Sequence, residues 1–152
     1  MLEQYLNRDM VFAELKSSDK GGVIHELAED VAEACPYLSS VTIESALLER
    51  ENLDSTAIEK GVAIPHAKID GITRPLVAIG KSQEGVDFNS HDKSLTHLFF
   101  VLLAPHGSVS EHLKLLARIA RLLSIPEAKE RLLAGSASMN IYDTLMDLEK
   151  KI

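Results

Sequence analysis

Apolar residues recur every three or four positions along much of the first third of the chain, which is the spacing of one face of a helix. This pattern and the runs around it predict four elements: a short helix over residues 2–6, a strand over residues 10–15, and helices over residues 20–35 and 42–52. Asp19 is placed to cap the third element and Pro36 to end it. In the fourth, Arg50 shares the apolar stripe and is therefore expected to face inward.

From Gly61 the spacing changes to short apolar runs, which are typical of strands. Three strands are predicted: residues 62–64, 76–81 and 95–103, the last of them apolar on both faces, as in a central strand. Helical spacing then returns and predicts a helix after a capping-box pattern of Ser108 and Glu111, followed by helices over residues 126–134 and 138–150. Helices on both sides of a strand-rich middle predict an α/β fold. We expect a single-domain three-layer sandwich over residues 1–152, in which helices flank both faces of a central mixed sheet.

Composition and charge exclude several classes of protein. The chain has 152 residues, 45% of them hydrophobic and 26% charged, as in an ordinary globular domain. The 16 Lys and Arg residues stand against 23 Asp and Glu residues, and the net charge of −7 argues against nucleic acid or an anionic membrane as a partner. A single cysteine, Cys35, cannot form an internal disulfide. No apolar run is long enough to span a membrane and no signal peptide is evident, so we expect a cytoplasmic protein.

The six histidines form no spacing that indicates a helical zinc site, and the chain has no glycine-rich phosphate loop or nucleophile elbow. One of them, His66, follows a short apolar strand and Pro65, which cannot extend a central ladder. His66 is thus predicted at the carboxyl end of a strand, where open α/β sheets bind ligands. An imidazole there acts as a base, a metal ligand or a nucleophile. The alternative is a partly buried loop histidine satisfied by the backbone.

The segment around His66, residues 54–67 with Leu48-Glu49-Arg50-Glu51 before it, resembles the active-site segment of a known family. The family is that of the enzyme IIA domains of the phosphoenolpyruvate-dependent sugar phosphotransferase system, of the mannitol/fructose type that includes the nitrogen-regulatory enzyme IIA. The runs 102–105 and 111–117 are similar to its second histidine segment, and the resemblance covers essentially the whole chain. Glu59 departs from the pattern, since the family usually has Gly or Ala there. This departure puts the turn before the strand in question and leaves the Ala-Ile-Pro-His core intact.

The resemblance implies that His66 is phosphorylated. Its neutral imidazole would accept the phosphoryl group from a phosphohistidine on a small carrier protein, HPr or its nitrogen-branch counterpart, without a metal or a cofactor. It also implies that His112 hydrogen-bonds the phosphoryl group and that Arg50 lies near His66, where a guanidinium clamps phosphate oxygens. Ser55 and Thr56 are candidate hydroxyl donors to the same group.

Each of these residues also has a purely structural interpretation. His112 is predicted to lie on an inward stripe of its helix, together with Leu116, Ile119 and Leu123. A core histidine at the start of a helix has the same position. Arg50 would otherwise pack its stem on the core and extend its head to water. Ser55 and Thr56 equally form a turn.

The remaining histidines and one lysine are predicted to have smaller parts. His97 is expected to pack in its strand with one satisfied nitrogen, His106 to lie at the rim of the site, and His25 and His91 to lie on the surface. Lys68, two residues after His66, is a candidate to attract phosphate, although a single exposed lysine is usually only solvated.

Two functions follow from the resemblance. The first is a phosphohistidine carrier that passes its phosphoryl group to an enzyme IIB component. The second is a regulatory module whose contact with a kinase, a transporter or a transcription factor is switched by phosphorylation. A degenerate domain that accepts no phosphate is a third possibility, against which the presence of Arg50, His66 and His112 together argues. The acidic surface is expected to steer a basic carrier protein to His66.

Overall fold

A mixed sheet of six strands forms the centre of the computed structural model, which describes residues 1–152. The strands are β1 (Val11–Phe12), β2 (Ala57–Ile58), β3 (Val62–Ala63), β4 (His66–Lys68), β5 (Leu76–Val86) and β6 (Thr96–Ala104). Their order is β1-β5-β6-β3-β2, and β4 also pairs with β6. β3 and β4 run parallel to β6, whereas β5 runs antiparallel to it.

Five α-helices and two short 3₁₀ helices complete the chain. The α-helices are α1 (Lys20–Ala34), α2 (Ser40–Glu51), α3 (Val109–Leu123), α4 (Ala128–Ala134) and α5 (Ser138–Glu149), and the 3₁₀ helices are Leu2–Gln4 and Arg8–Met10. Every residue of 98–104 in β6 is buried. Because successive side chains of a strand point to opposite faces, both faces of the sheet are covered. The predicted three-layer α/β sandwich is confirmed. No helix combines the length and the apolar character that a bilayer span requires.

Several element boundaries differ from the prediction. The strand expected over residues 10–15 is only β1, because its pairing with β5 is limited to two residues and a 3₁₀ helix precedes it. The strand expected to end at residue 81 continues to Val86 past a register irregularity. α2 begins two residues earlier than predicted, because the Ser39 side chain accepts a hydrogen bond from the Thr42 amide. β2 and β4 were not predicted, since runs of two or three residues carry no periodicity.

The predicted capping box at the start of α3 is wrong, although the helix does begin there. The Ser108 hydroxyl donates to the Pro105 carbonyl at 3.0 Å instead of capping the helix. The Glu111 carboxylate accepts from the Tyr5 hydroxyl at 2.8 Å. Both side chains therefore connect the helix start to other parts of the chain.

His66, predicted at the carboxyl end of the strand over residues 62–64, instead opens a further strand, β4, after Pro65. The pairing of this segment with β6 is interrupted at Pro65 and resumes at His66, which lies opposite Leu102. The Leu102 amide donates to the Pro65 carbonyl at 2.9 Å, so the chain stays beside β6 through the interruption. His66 is thereby held by a sheet rather than by a free loop, close to the carboxyl end of β6.

The turn between β2 and β3 places no positive φ angle at Glu59. Glu59 is exposed, and the positive φ angles of this turn fall on Lys60 (65°) and Gly61 (84°). A Cβ at Gly61 would lie 3.0 Å from the Leu95 carbonyl oxygen, so glycine is needed there for space as well as for conformation. The departure at Glu59 therefore leaves the strand that leads to His66 in place.

Candidate functional site

An open cavity of about 340 Å³ lies where α2, β4, the segment after β6 and α3 meet. Its lining contains Arg50, His66, Lys68, His106 and His112, together with Glu49, Leu53 and two alanines. These side chains come from four separate parts of the chain. The cavity thus brings together the three residues expected to act on a phosphoryl group, His66, His112 and Arg50.

The hydrogen bonds of His66 assign its tautomer. Nδ1 lies 2.7 Å from the Ile64 carbonyl oxygen, which only accepts, so Nδ1 carries the hydrogen. Nε2 in turn accepts a hydrogen bond from Arg50 Nε at 3.3 Å. Burial lowers the pKa of His66, and the Ile64 hydrogen bond raises it in part. The positive charge of Arg50 lowers this pKa further, whereas the negative charge of Glu51 raises it. His66 is thus a neutral imidazole whose Nε2 lone pair faces the cavity.

Arg50 extends from the last turn of α2 into the cavity and is half-buried there. Besides its bond to His66, its Nη1 donates to the Asp54 carbonyl at 2.9 Å. The stripe of α2 that carries Arg50 is buried at Ile43 and Leu47, so the periodicity predicted its direction correctly. The guanidinium keeps further N–H groups for an oxyanion in the cavity.

His112 lies beside His66, and their ring centroids are 5.4 Å apart with an interplanar angle of 61°. The residue is 7% exposed, and its Nδ1 is buried without a hydrogen-bond partner. Burial lowers the pKa of His112, and repulsion from a protonated His66 ring and from Lys68 adds to this. Because a buried N–H without a partner is costly, Nδ1 is the unprotonated nitrogen, and Nε2–H is the donor available to a group in the cavity.

The residues predicted to share a stripe with His112 are buried to different extents. The buried residues of α3 that share its face are Leu115, Ile119 and Leu122. Leu116 and Leu123, which were predicted there with Ile119, are only partly buried. The inward direction of His112 is therefore right, and Leu116 and Leu123 pack against the core although they are partly exposed.

Neither Ser55 nor Thr56 lines the cavity. The Ser55 hydroxyl donates to the Phe88 carbonyl at 2.8 Å, and the buried Thr56 hydroxyl donates to the Glu51 carboxylate. Since a hydroxyl has one hydrogen to donate, neither is available to a phosphoryl group in this arrangement. The predicted direct contact does not fit the geometry.

Lys68, for which the sequence favoured a solvated position over attraction of phosphate, lies at the cavity. It lies two residues after His66 in β4, and alternate residues of a strand share a face. It is half-buried and lines the cavity, where its charge lowers the pKa of His112. The signal that identifies it is this alternation, which depends on recognising β4 as a strand.

The other histidines lie close to their predicted places. His106 lines the cavity and approaches Asp70 at 3.4 Å, and His97 is half-buried with Nδ1 2.9 Å from the Ser82 carbonyl oxygen. His25 and His91 are exposed. No group of three His, Cys, Asp or Glu side chains is arranged to hold a metal ion.

A larger cavity of about 800 Å³ lies between β1, α1 and α5, yet its side chains do not form a comparable set. Its arginine, Arg8, binds Asp143 at 3.1 Å. Burial, with the charges of neighbouring glutamates, raises the pKa of Asp30 to about 6. The cavity contains no histidine. The smaller cavity is therefore the candidate site, because it alone combines a nucleophilic nitrogen with several cationic or N–H donors.

Exposed apolar side chains lie around this site. Leu53 in the cavity lining is 80% exposed, and Val109 and Leu113 beside His112 are 53% and 58% exposed. Acidic side chains also lie nearby, namely Glu49 in the lining and the exposed Asp70 beside His106. An apolar surface bordered by charge is typical of a protein-binding site.

Comparisons with known proteins agree on one family. The family described as "Phosphoenolpyruvate-dependent sugar phosphotransferase system, EIIA 2" matches residues 4–147. The nitrogen regulatory protein of Pseudomonas aeruginosa is 32% identical over 148 residues, which are 97% of this chain and 96% of that protein. The PTS system fructose-specific EIIABC component of Bacillus subtilis is 32% identical over 149 residues, 98% of this chain, but the chain spans only 24% of that longer protein.

Solved structures share the fold. The nitrogen regulatory protein IIA-Ntr of Neisseria meningitidis superposes with a TM-score of 0.86 and 27% identity, over 95% of this chain and 98% of that one. Enzyme IIAMTL of Escherichia coli, solved in complex with phosphorylated enzyme IIBMTL, gives a TM-score of 0.76 at 20% identity, over 93% and 96% of the two chains.

Proposed function

Because the chain belongs to the EIIA type 2 family of the phosphoenolpyruvate-dependent sugar phosphotransferase system, we propose that His66 accepts a phosphoryl group from a phosphohistidine. The donor is the small carrier protein HPr or its nitrogen-branch counterpart. The protein is thus a phosphotransfer component that turns over no small molecule on its own. The observation that carries this proposal is the convergence of Arg50, His66 and His112 on one cavity, with Nε2 of His66 facing into it.

The chemistry follows from the tautomer of His66. The Nε2 lone pair attacks the phosphorus in line, a new N–P bond forms, and the N–P bond to the donor imidazole breaks with its electron pair staying on the donor nitrogen. His66 keeps the hydrogen on Nδ1, so its ring gains positive charge as the bond forms. The Ile64 carbonyl oxygen, which already accepts that hydrogen at 2.7 Å, stabilises this charge.

The other cavity residues stabilise the phosphoryl oxygens. Arg50 exchanges its bond with His66 Nε2 for phosphoryl oxygens, and its remaining N–H groups allow bidentate contact. His112 donates Nε2–H to a second oxygen, and Lys68 supplies a further positive charge. All three are in place before the reaction, so little reorganisation is needed when charge develops.

The carrier protein would bind on the apolar surface formed by Leu53, Val109 and Leu113. With a net charge of −7, and Glu49 and Asp70 near the cavity, the chain would attract a partner with a basic face. Association should therefore slow as salt is raised, which stopped-flow mixing at two ionic strengths would measure. A rate that does not depend on salt would remove the electrostatic part of the proposal.

The next step is either transfer or signalling. The mannitol-type neighbour from Escherichia coli was solved with its phosphorylated IIB, which supports transfer from phospho-His66 to an enzyme IIB. The match along nearly the whole nitrogen regulatory protein of Pseudomonas aeruginosa favours the second function, a module whose contact with a kinase, a transporter or a transcription factor depends on phosphorylation. Both functions suit a reducing cytoplasm, in which the buried thiol of Cys35 stays free.

Reconstitution tests the proposal. Phosphoenolpyruvate, enzyme I and either carrier should place a phosphate on His66 that is labile in acid and stable in base, and peptide mass spectrometry would locate it. Adding an enzyme IIB then separates the two functions, since a transporting protein loses its phosphate to it. No labelling with either carrier, or a label that persists in His66→Ala, would overturn the proposal.

A further inference from the structure

The last residue of α2, Glu51, is a buried acid that the mechanism above does not use. Its side chain is 2% exposed. The carboxylate accepts from the Thr56 amide at 3.0 Å and from the Thr56 hydroxyl, and it pairs with Lys20 Nζ at 2.9 Å. All of its partners are therefore within the protein, and its charge is balanced by Lys20 from α1.

From Thr56 two hydrogen bonds lead to the nucleophile. The Thr56 carbonyl oxygen accepts from the Ile64 amide at 3.1 Å. The Ile64 carbonyl oxygen then accepts from His66 Nδ1 at 2.7 Å. Ile64 thus holds the tautomer of His66 with one of its backbone groups and is held by Thr56 with the other.

The position of Ile64 depends on this connection more than a residue in a regular strand would. Ile64 lies between β3 and β4, where Pro65 has no N–H to give to a ladder. The segment beyond Thr56 enters β2, a two-residue strand at the edge of the sheet. Thr56 itself lies outside the strands, and its amide is held by the Glu51 carboxylate.

Glu51 also follows Arg50 in the chain, so the same carboxylate fixes the end of α2 from which the guanidinium extends. One buried group therefore sets both partners of the 3.3 Å contact between Arg50 Nε and His66 Nε2. A small displacement at such a contact is costly for a reaction that relies on positioning.

We propose that Glu51 is a positioning residue for phosphotransfer, which acts through Thr56 and the Ile64 carbonyl to hold His66 with its hydrogen on Nδ1. The proposal rests on the function proposed above and adds to it residues that do not touch the phosphoryl group. It also gives Thr56 a part in the site that differs from the direct contact expected from the sequence.

The test compares the full chain with four variants. Glu51→Gln removes the charge, Thr56→Val removes the hydroxyl at nearly equal volume, and Thr56→Ser keeps the hydroxyl. Glu44→Gln is the matched control, because it removes a carboxylate from the same helix at a residue that does not line the cavity. Two quantities are measured: the ¹⁵N shifts of the His66 ring nitrogens in the unphosphorylated protein, and the rate of phosphorylation by the phosphorylated carrier.

Wild type, Thr56→Ser and Glu44→Gln should show His66 with one protonated nitrogen, Nδ1. Glu51→Gln and Thr56→Val should show shifts averaged between the two tautomers and a rate about tenfold lower, while Thr56→Ser and Glu44→Gln stay within about twofold of wild type. Because the two residues act in series, the double variant Glu51→Gln/Thr56→Val should be no slower than the slower single variant, within about twofold. Glu51→Gln should also lower the pKa of His66, since the Glu51 charge raises it.

Unchanged tautomer shifts in folded Glu51→Gln or Thr56→Val would overturn the proposal, as would a double variant whose losses multiply. If Glu51→Gln does not fold, the comparison of Thr56→Val with Thr56→Ser decides alone. If wild type takes no phosphoryl group from either carrier, the proposed function fails. The ¹⁵N shifts then still decide whether Glu51 positions the His66 ring.

Discussion

Two histidines of this chain, His66 and His25, have opposite surroundings. His66 is half-buried beside a guanidinium, and burial lowers its pKa. His25 is exposed on α1, where its ring nitrogens contact the carboxylates of Glu44 and Glu29. The hydrogen bond to Glu44, followed by the charges of both carboxylates, raises its pKa. Burial beside positive charge thus lowers the pKa of one histidine, whereas two carboxylates raise the pKa of the other.

The difference shows what makes an imidazole suitable for phosphotransfer. A nitrogen that is to attack phosphorus must keep its lone pair, and burial beside positive charge favours the neutral ring. An imidazole between two carboxylates holds its proton instead. His66 and His25 both have polar neighbours. The two histidines differ in the sign of the charge beside the ring, which is positive at His66 and negative at His25.

The largest expected effect comes from removing each histidine in turn. His66→Ala should abolish phosphorylation by the carrier, because the lone pair of His66 Nε2 faces the cavity, whereas the unprotonated Nδ1 of His112 is buried. His25→Ala should be labelled like wild type. Phosphate incorporation measured side by side on the two variants provides the check, and equal labelling of both would break the comparison.

Substitution of Arg50 should have the second-largest effect on the rate, because Arg50 Nε contacts His66 Nε2 directly. Arg50→Ala should slow phosphorylation by about 100-fold, the usual cost of losing one donor that stabilises charge in a transition state. Arg50→Lys should recover only part of this, because an ammonium lacks the fork that clamps two oxygens. Single-turnover rates of phosphorylation, measured on both variants and on wild type, provide the check. An Arg50→Lys variant as fast as wild type would mean that a positive charge alone is sufficient.

His112 should matter less, because it supplies one neutral donor. His112→Ala should cost about tenfold in rate. His112→Gln retains an N–H donor, so its phosphorylation rate should lie between the rates of His112→Ala and wild type. A rate for His112→Ala equal to that of wild type would leave His112 as a buried core residue only, which was the structural alternative.

Much of this site could be predicted from the sequence, and the limits have physical causes. Arg50 was placed correctly because helical periodicity fixes which face a residue occupies. The hydroxyls of Ser55 and Thr56 do not face the cavity as predicted. The hydrogen-bond partner of a hydroxyl depends on groups far along the chain, such as the Phe88 carbonyl. For Lys68 the solvated position was favoured, because a strand of only three residues, such as β4, carries no periodicity that shows which face Lys68 shares.

The pH dependence of phosphorylation should be a smaller effect with a definite sign. The pKa of His66 lies below the ordinary 6.5, mainly through burial, so the neutral ring persists to lower pH than in an ordinary histidine. The rate should therefore be level through neutral pH and fall only as the pH drops below 6.5. Rates measured across this range on phosphorylated carrier prepared at a single pH provide the check. A fall that begins above 6.5 would place His66 in an environment like that of His25.

The smallest effect concerns stability at His25. A histidine whose pKa is raised on folding stabilises the folded state fully below its unfolded pKa, and this stabilisation is lost as the pH rises through the folded value. His25→Gln should thus lower the urea midpoint at about pH 5.5 and leave it unchanged at about pH 8.5. A loss of equal size at both pH values would mean that the His25 charge is not involved.

The central claim is that the environment of His66 leaves Nε2 as its one nucleophilic nitrogen. It is tested most directly by ³¹P–¹⁵N correlation on the ¹⁵N-labelled chain after phosphorylation by the carrier. The predicted result is a phosphorus coupled to Nε2 of His66, with Nδ1 still carrying the hydrogen that it donates to the Ile64 carbonyl. Coupling to Nδ1, or to any other histidine, would contradict the claim.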